Sequence, residues 1–177
     1  MKHYEEQKIS VVDTETTFKS LYQKVQVPKE ILKRIEEANV LLVPQDNFRD
    51  CNGAFFPEGT YEFYQYMVGS SKNSALNIDV CCSDEEYSEV QLHNDFIRIV
   101  ELIVQNPVYD IVIGLIASYL YSKVTEMRKS KKEVTTEINI NVDINGKSKK
   151  ISYTGDVENF EKAMTTIKEK FMDGGSK

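Results

Sequence analysis

"VTTEININVDINGKSKKISYTGDVENFEKAM", residues 134–164, carries the clearest structural signal in the chain. Val134, Thr136, Ile138, Ile140, Val142 and Ile144 recur at every second position, which predicts a strand with one face turned to a core. Asn145-Gly146 then supplies two residues that tolerate positive φ, the signature of a two-residue type I′ hairpin turn. Such a turn fixes the register. Ile144 faces Lys147, Val142 faces Lys149, Ile140 faces Ile151 and Ile138 faces Tyr153. The aliphatic and aromatic pairs fall together, and the two lysines leave the turn end of that face wet. Asp156 is placed to cap a final helix in which Val157, Phe160, Met164, Ile167 and Phe171 form one apolar stripe. The C-terminal part therefore reads as a β-β-α unit over 134–173.

Immediately upstream lies "PVYDIVIGLIASYLYSKV", residues 107–124. Asn106 and Pro107 suit the start of a helix, since proline lacks only an N–H that would be unpaired there. The helix is apolar nearly all round, so something must surround it. Asp110, Gly114, Ser118 and Ser122, four apart, make one narrow stripe along which another backbone can approach closely. Three settings fit: the central core helix of a small domain, a protein interface, or a membrane role. The run is too short for an uninterrupted span, and Asp95, Arg98, Glu101 and Asp110 would each be costly in hydrocarbon. The stripe is the candidate partner contact.

Further upstream, Ser83 followed by Glu86 forms a capping-box pattern, with Asp84 and Glu85 suited to the positive end of a helix dipole. Leu92, Phe96, Ile99 and Ile103 then predict a helix to about Val104, joined at Gln105-Asn106 to the next in a hairpin or sharp bend. Earlier elements are a short strand at Val11-Val12, a helix turn or two over 17–25, a helix from Pro28 bearing Ile31, Leu32, Ile35 and Ala38, and a buried strand at "VLLV", 40–43. A loop over 44–59 follows, then a helix from Thr60 to Met67, a loop over 69–74, and a strand alternating through Leu76, Ile78, Val80 and Cys82. The expected fold is mixed α/β: a small sheet packed by two long consecutive helices, with a C-terminal β-hairpin plus helix. Residues 1–124 would be an α/β body with a helical hairpin, 125–133 a basic linker or helix extension, and 134–173 the β-β-α unit.

At 177 residues, with 41% hydrophobic and 28% charged side chains, the chain is of ordinary globular composition. Its net charge of −6 opposes general attraction to nucleic acid or anionic lipid. The charge is uneven. Residues 123–150 hold eight Lys/Arg against four Asp/Glu, whereas residues 1–122 hold ten against nineteen. Three cysteines, two of them adjacent, make a poor disulfide framework and point to reduced thiols in a cytoplasmic protein. The N-terminus has no apolar core of a secretory signal.

Catalytic signals are sparse. His93 and Glu89 lie one helical turn apart but lack the further ligands a metal site needs, so no metal or cofactor is expected. On its strand, Cys81-Cys82 should put one sulfur in and one out, filling core. "GSSKNS" lacks the glycine spacing of a phosphate loop. In the loop "DNFRDCNG", 46–53, Arg49 between Asp46 and Asp50 is a candidate anion contact, although such a group is more often a local salt-bridged turn. Arg128, Lys129, Lys131 and Lys132 are candidate nucleic-acid contacts, without the exposed aromatic row that single-strand binding uses.

"ANVLLVPQ", "FRD", "FPEGTYEFYQYM" and "DEEYSEVQLHNDFIRIVELIVQNPVYDIVIGLIASYLYSK" together resemble uncharacterised small bacterial proteins of phage-defence and conflict loci. The tail is similar to their accessory modules, which pair a hydrophobic helix with a β-β-α unit, here "YDIVIGLIASYLYSKV" followed by "INVDINGKSKKISYTGDVENFEKAM". The resemblance implies a non-catalytic accessory or adaptor subunit that binds a larger protein, as a homo- or hetero-oligomer, and brings no active site with it. The alternatives are a small enzyme or toxin using the 46–53 loop, or a membrane-associating effector component.

Overall fold

The computed structural model describes residues 7–24, 29–45, 53–91, 96–128 and 134–173. The elements in order are β1 (Lys8–Thr14), α1 (Phe18–Lys24), α2 (Lys29–Glu37), β2 (Val40–Val43), β3 (Ala54–Pro57), α3 (Thr60–Ser70), β4 (Ile78–Val80), β5 (Tyr87–Val90), β6 (Phe96–Arg98) and β7 (Glu101–Gln105). A single 3-10 turn, Asn106–Val108, leads into α4 (Tyr109–Arg128), followed by β8 (Thr135–Ile144), β9 (Lys147–Gly155) and α5 (Val157–Lys168). The fold is mixed α/β, as the sequence predicts.

The main sheet runs β1-β9-β8-β7-β2-β4, with β6 also along β8. The hairpin register is the one the turn dictates: Ile144 opposite Lys147, Val142 opposite Lys149, Ile140 opposite Ile151 and Ile138 opposite Tyr153. Asn145 and Gly146 take φ of 55° and 85°, the positive values a type I′ turn requires. Asp156 caps α5 by accepting from the Asn159 N–H. β7 and β8 are parallel, so α4 is the crossover between them. β8 lies between β7 and β9, so residues 134–155 share one sheet with the strands before them.

Helices cover both faces of the sheet around β2 and β7. On one side Val40, Leu42, Leu102, Val104, Ile138, Ile140 and Val142 pack with residues of α3, α4 and α5. On the other, Leu41, Ile103 and Cys81 pack with Phe18, Leu21, Ile35 and Ala38. This two-sided burial explains why β2 reads as an unbroken apolar run.

The helix expected over 83–104 is not formed. β5, β6 and β7 take its place, and residues 92–95 lie outside those described. One long helix, α4, therefore packs where two consecutive ones were expected. The capping-box hydrogen bond does exist, with Glu86 N–H reaching Ser83 Oγ at 3.3 Å, but the same N–H also bonds the Ser83 carbonyl and closes a turn into β5. Ile97, Ile99, Val100, Ile103 and Val104 are β-branched and favour extended backbone, while their i, i+4 spacing imitates a helix face. The loop expected over 44–59 contains β3, which pairs in parallel with β5 in a second, two-stranded sheet. Cys81 and Cys82 lie in opposite cores and both are buried, because both faces of the sheet are covered there.

Candidate functional site

α4 buries one side and shows the other. Val112, Ile113, Ile116, Ala117, Leu120 and Val124 enter the core, and Phe63 of α3 meets the Tyr119 ring edge-on at 5.1 Å. Asp110, Ser118 and Ser122 are exposed and Gly114 is half-buried. The stripe of small residues is thus the outward face of the helix and not a seam against this chain's own core. A Cβ built on Gly114 meets nothing within 4 Å, which is open space on that side.

Apolar side chains flank the stripe. Ile111 is 41% and Tyr121 48% exposed, among the most exposed large hydrophobic side chains described. Leu115 is half-buried between them. Ion pairs anchor the helix on both flanks. Lys168 of α5 bonds Asp110 at 2.5 Å, and Lys123 bonds Glu62 of α3. Burial pulls the Lys123 ammonium toward neutrality. The Glu62 hydrogen bond and the nearby Tyr119, Glu62 and Glu126 charges outweigh it, and the net shift is upward. Ion pairs thus tie α4 to α5 near its start and to α3 near its end, and its outer face carries small and polar residues with Ile111 and Tyr121 exposed among them.

The N-terminus of α3 is closed from another element. Glu89 on β5 accepts from the Gly59 N–H at 3.0 Å, the Tyr61 N–H at 2.8 Å and the Tyr87 hydroxyl at 2.6 Å. Desolvation raises the Glu89 pKa, but these three donors outweigh it and hold the carboxyl below its ordinary value. The positive helix end is thus already occupied by a carboxylate of the chain itself. Nothing in the sequence pairs Glu89 with residue 59. Only the β3–β5 pairing brings them together.

A second polar arrangement, also unread in the sequence, runs along the face of β8 turned away from α4. Glu137 meets Arg98, Asn139 accepts from Ser152, and Asn141 donates to Glu101, which also binds Lys150 at 3.1 Å. Asp143 accepts from the Phe18 N–H at the start of α1. These bonds tie β6, β7, β9 and α1 laterally to β8. Arg34 on α2 bonds the buried Asp79 of edge strand β4 at 2.9 Å; burial raises the Asp79 pKa against the Val80 N–H and the Arg34 charge.

Arg49, Lys129, Lys131 and Lys132 lie outside the described residues, and of Arg128 only its place at the end of α4 is described. His93 and Cys51 lie outside as well. Among the described residues, no group of three or more His, Cys, Asp or Glu side chains is placed to hold a metal ion, and no helix is long and apolar enough to cross a membrane. Among known proteins, no family model matches the chain, and neither a curated protein nor a solved structure is found similar to it.

Proposed function

We propose that this chain is a protein-binding accessory subunit whose contact surface is the outer face of α4. The observation that carries the reading is the outward stripe of Gly114, Ser118 and Ser122 with Ile111 and Tyr121 exposed beside it. Water gains little from such a strip. A partner helix or strand gains close backbone approach over the small residues and two apolar anchors at the sides. An aromatic anchor such as Tyr121 is typical of the centre of an interface. The resemblance to accessory modules of phage-defence loci supports a larger heterologous partner as the occupant.

The test is co-purification of the chain with the product of an adjacent gene of its native locus, for the natural sequence and for Gly114→Gln. Because the space over Gly114 is open, the variant should fold with an unchanged or higher melting temperature. Loss of the complex with folding intact is the expected result. A natural chain that stays a monomer and retains no neighbouring product overturns the proposal.

A further inference from the structure

We infer that a single internal water molecule is bound beside the turn end of the β8–β9 hairpin, held by Asn141, Asp143 and Ser148. This inference stands independently of the α4 surface. Asn141 is fully buried at 0% exposure and Ser148 is buried at 5%. The Asn141 Oδ1 and Ser148 Oγ atoms are both sealed from solvent, and neither has a hydrogen-bond partner among the described residues. Buried polar atoms of this kind are nearly always satisfied, by protein or by ordered water.

Turning the Asn141 amide over does not solve the problem. Its Nδ2 donates to Glu101 Oε1 at 2.9 Å and to the Leu102 carbonyl at 3.1 Å. Both are acceptors on the β7 side, so a turned amide would set its carbonyl against them and lose both bonds. The side chain is fixed with Oδ1 directed away from these two acceptors.

The register supplies the rest of the site. Asn141 stands opposite Lys150, and Asp143 stands opposite Ser148. Asn141 and Ser148 are therefore diagonal neighbours on one face, with Asp143 completing the corner. Diagonal neighbours lie roughly 7–8 Å apart at the backbone. Asn141 Oδ1 and Ser148 Oγ make no direct bond to each other, and one bridging water with bonds of about 2.8 Å spans neighbours of this kind. The donors and acceptors then balance. The water accepts from the Ser148 hydroxyl and donates to Asn141 Oδ1 and to the Asp143 carboxylate. Asp143 already accepts from the Gly146 and Phe18 N–H groups, and a carboxylate has capacity for a further bond. Asp143 thereby links the turn, the N-terminus of α1 and the water.

A high-resolution crystal structure of the full chain tests this directly, beside the same structure of Ser148→Val. The expected result is one isolated density peak within hydrogen-bond distance of Asn141 Oδ1, Asp143 and Ser148 Oγ, lost in the variant. In solution, Ser148→Ala and Asn141→Ala should destabilise less together than the sum of their separate shifts in unfolding midpoint, because both act through the same water. An empty site with Asn141 Oδ1 bonded to a protein donor overturns the inference. So does a peak ringed by five or more oxygens at the short distances of a metal cation, or strict additivity of the two substitutions.

Discussion

The phenol of Tyr109, at the first turn of α4, donates to the main-chain carbonyl of Met164 in α5 at 3.0 Å, and both residues are fully buried. Burial, with the neighbouring Asp110 charge, pushes the Tyr109 pKa well up, so the hydroxyl stays a donor across the ordinary pH range. This bond joins the crossover helix to the C-terminal helix across the core. Tyr109→Phe keeps the ring and removes only the donor. It should cost about 1 kcal/mol, read as a fall in melting temperature of roughly 2–4 °C for a chain of this size. An unchanged melting temperature would show that the bond contributes nothing net.

The same substitution at two glycines should have opposite signs. Gly146 holds φ at +85°, where a side chain is strained, so Gly146→Ala should destabilise by about 1–2 kcal/mol. Gly114 lies inside α4 with open space over it, so Gly114→Ala should stabilise by up to about 1 kcal/mol through helix propensity. Urea unfolding of the two variants measures both.

Glu89 should give stability a specific acid dependence. Its folded pKa lies below the unfolded value, so its contribution is present in full above the unfolded carboxylate range and is lost as pH falls through the folded value. Glu89→Gln should therefore lower the urea midpoint at pH 7, and the gap from the natural chain should narrow steadily below about pH 4, the ordinary glutamate range. A gap independent of pH would mean that the carboxylate charge does not matter to the cap.

Burial holds the Cys82 thiol up at about 12, with the Cys81, Glu86 and Asp84 charges adding to the shift and Arg34 opposing it. A neutral, buried thiol is a poor nucleophile. Mass mapping after alkylation at pH 8 should find Cys81 and Cys82 unmodified in the folded chain and modified in denaturant. Fast labelling of either in the folded chain would contradict the two-sided core around β4.

What the sequence disclosed was whatever local chemistry decides. Asn145-Gly146 and the alternation from Val134 to Ile144 fixed the β8–β9 register, because turn type and pleat are short-range properties. The stretch around Ile99–Val104 misled, since an apolar run buried on both sides of a sheet has the same spacing as a helix face. The stripe on α4 was visible as a stripe, but which way it points depends on where α3 and α5 pack. The Glu89 cap and the polar face of β8 were invisible for a similar reason. Asn141 becomes a buried residue only once β7 lies beside β8, and an isolated alternating strand shows Asn141 simply as a wet position.

The most direct measurement is hydrogen–deuterium exchange of the chain alone and in the proposed complex with the product of an adjacent gene. New protection in the complex centred on residues 109–128 is the predicted result, because that outer helix face would leave water on binding. A complex that forms with exchange along α4 unchanged, and new protection elsewhere, would contradict the central claim.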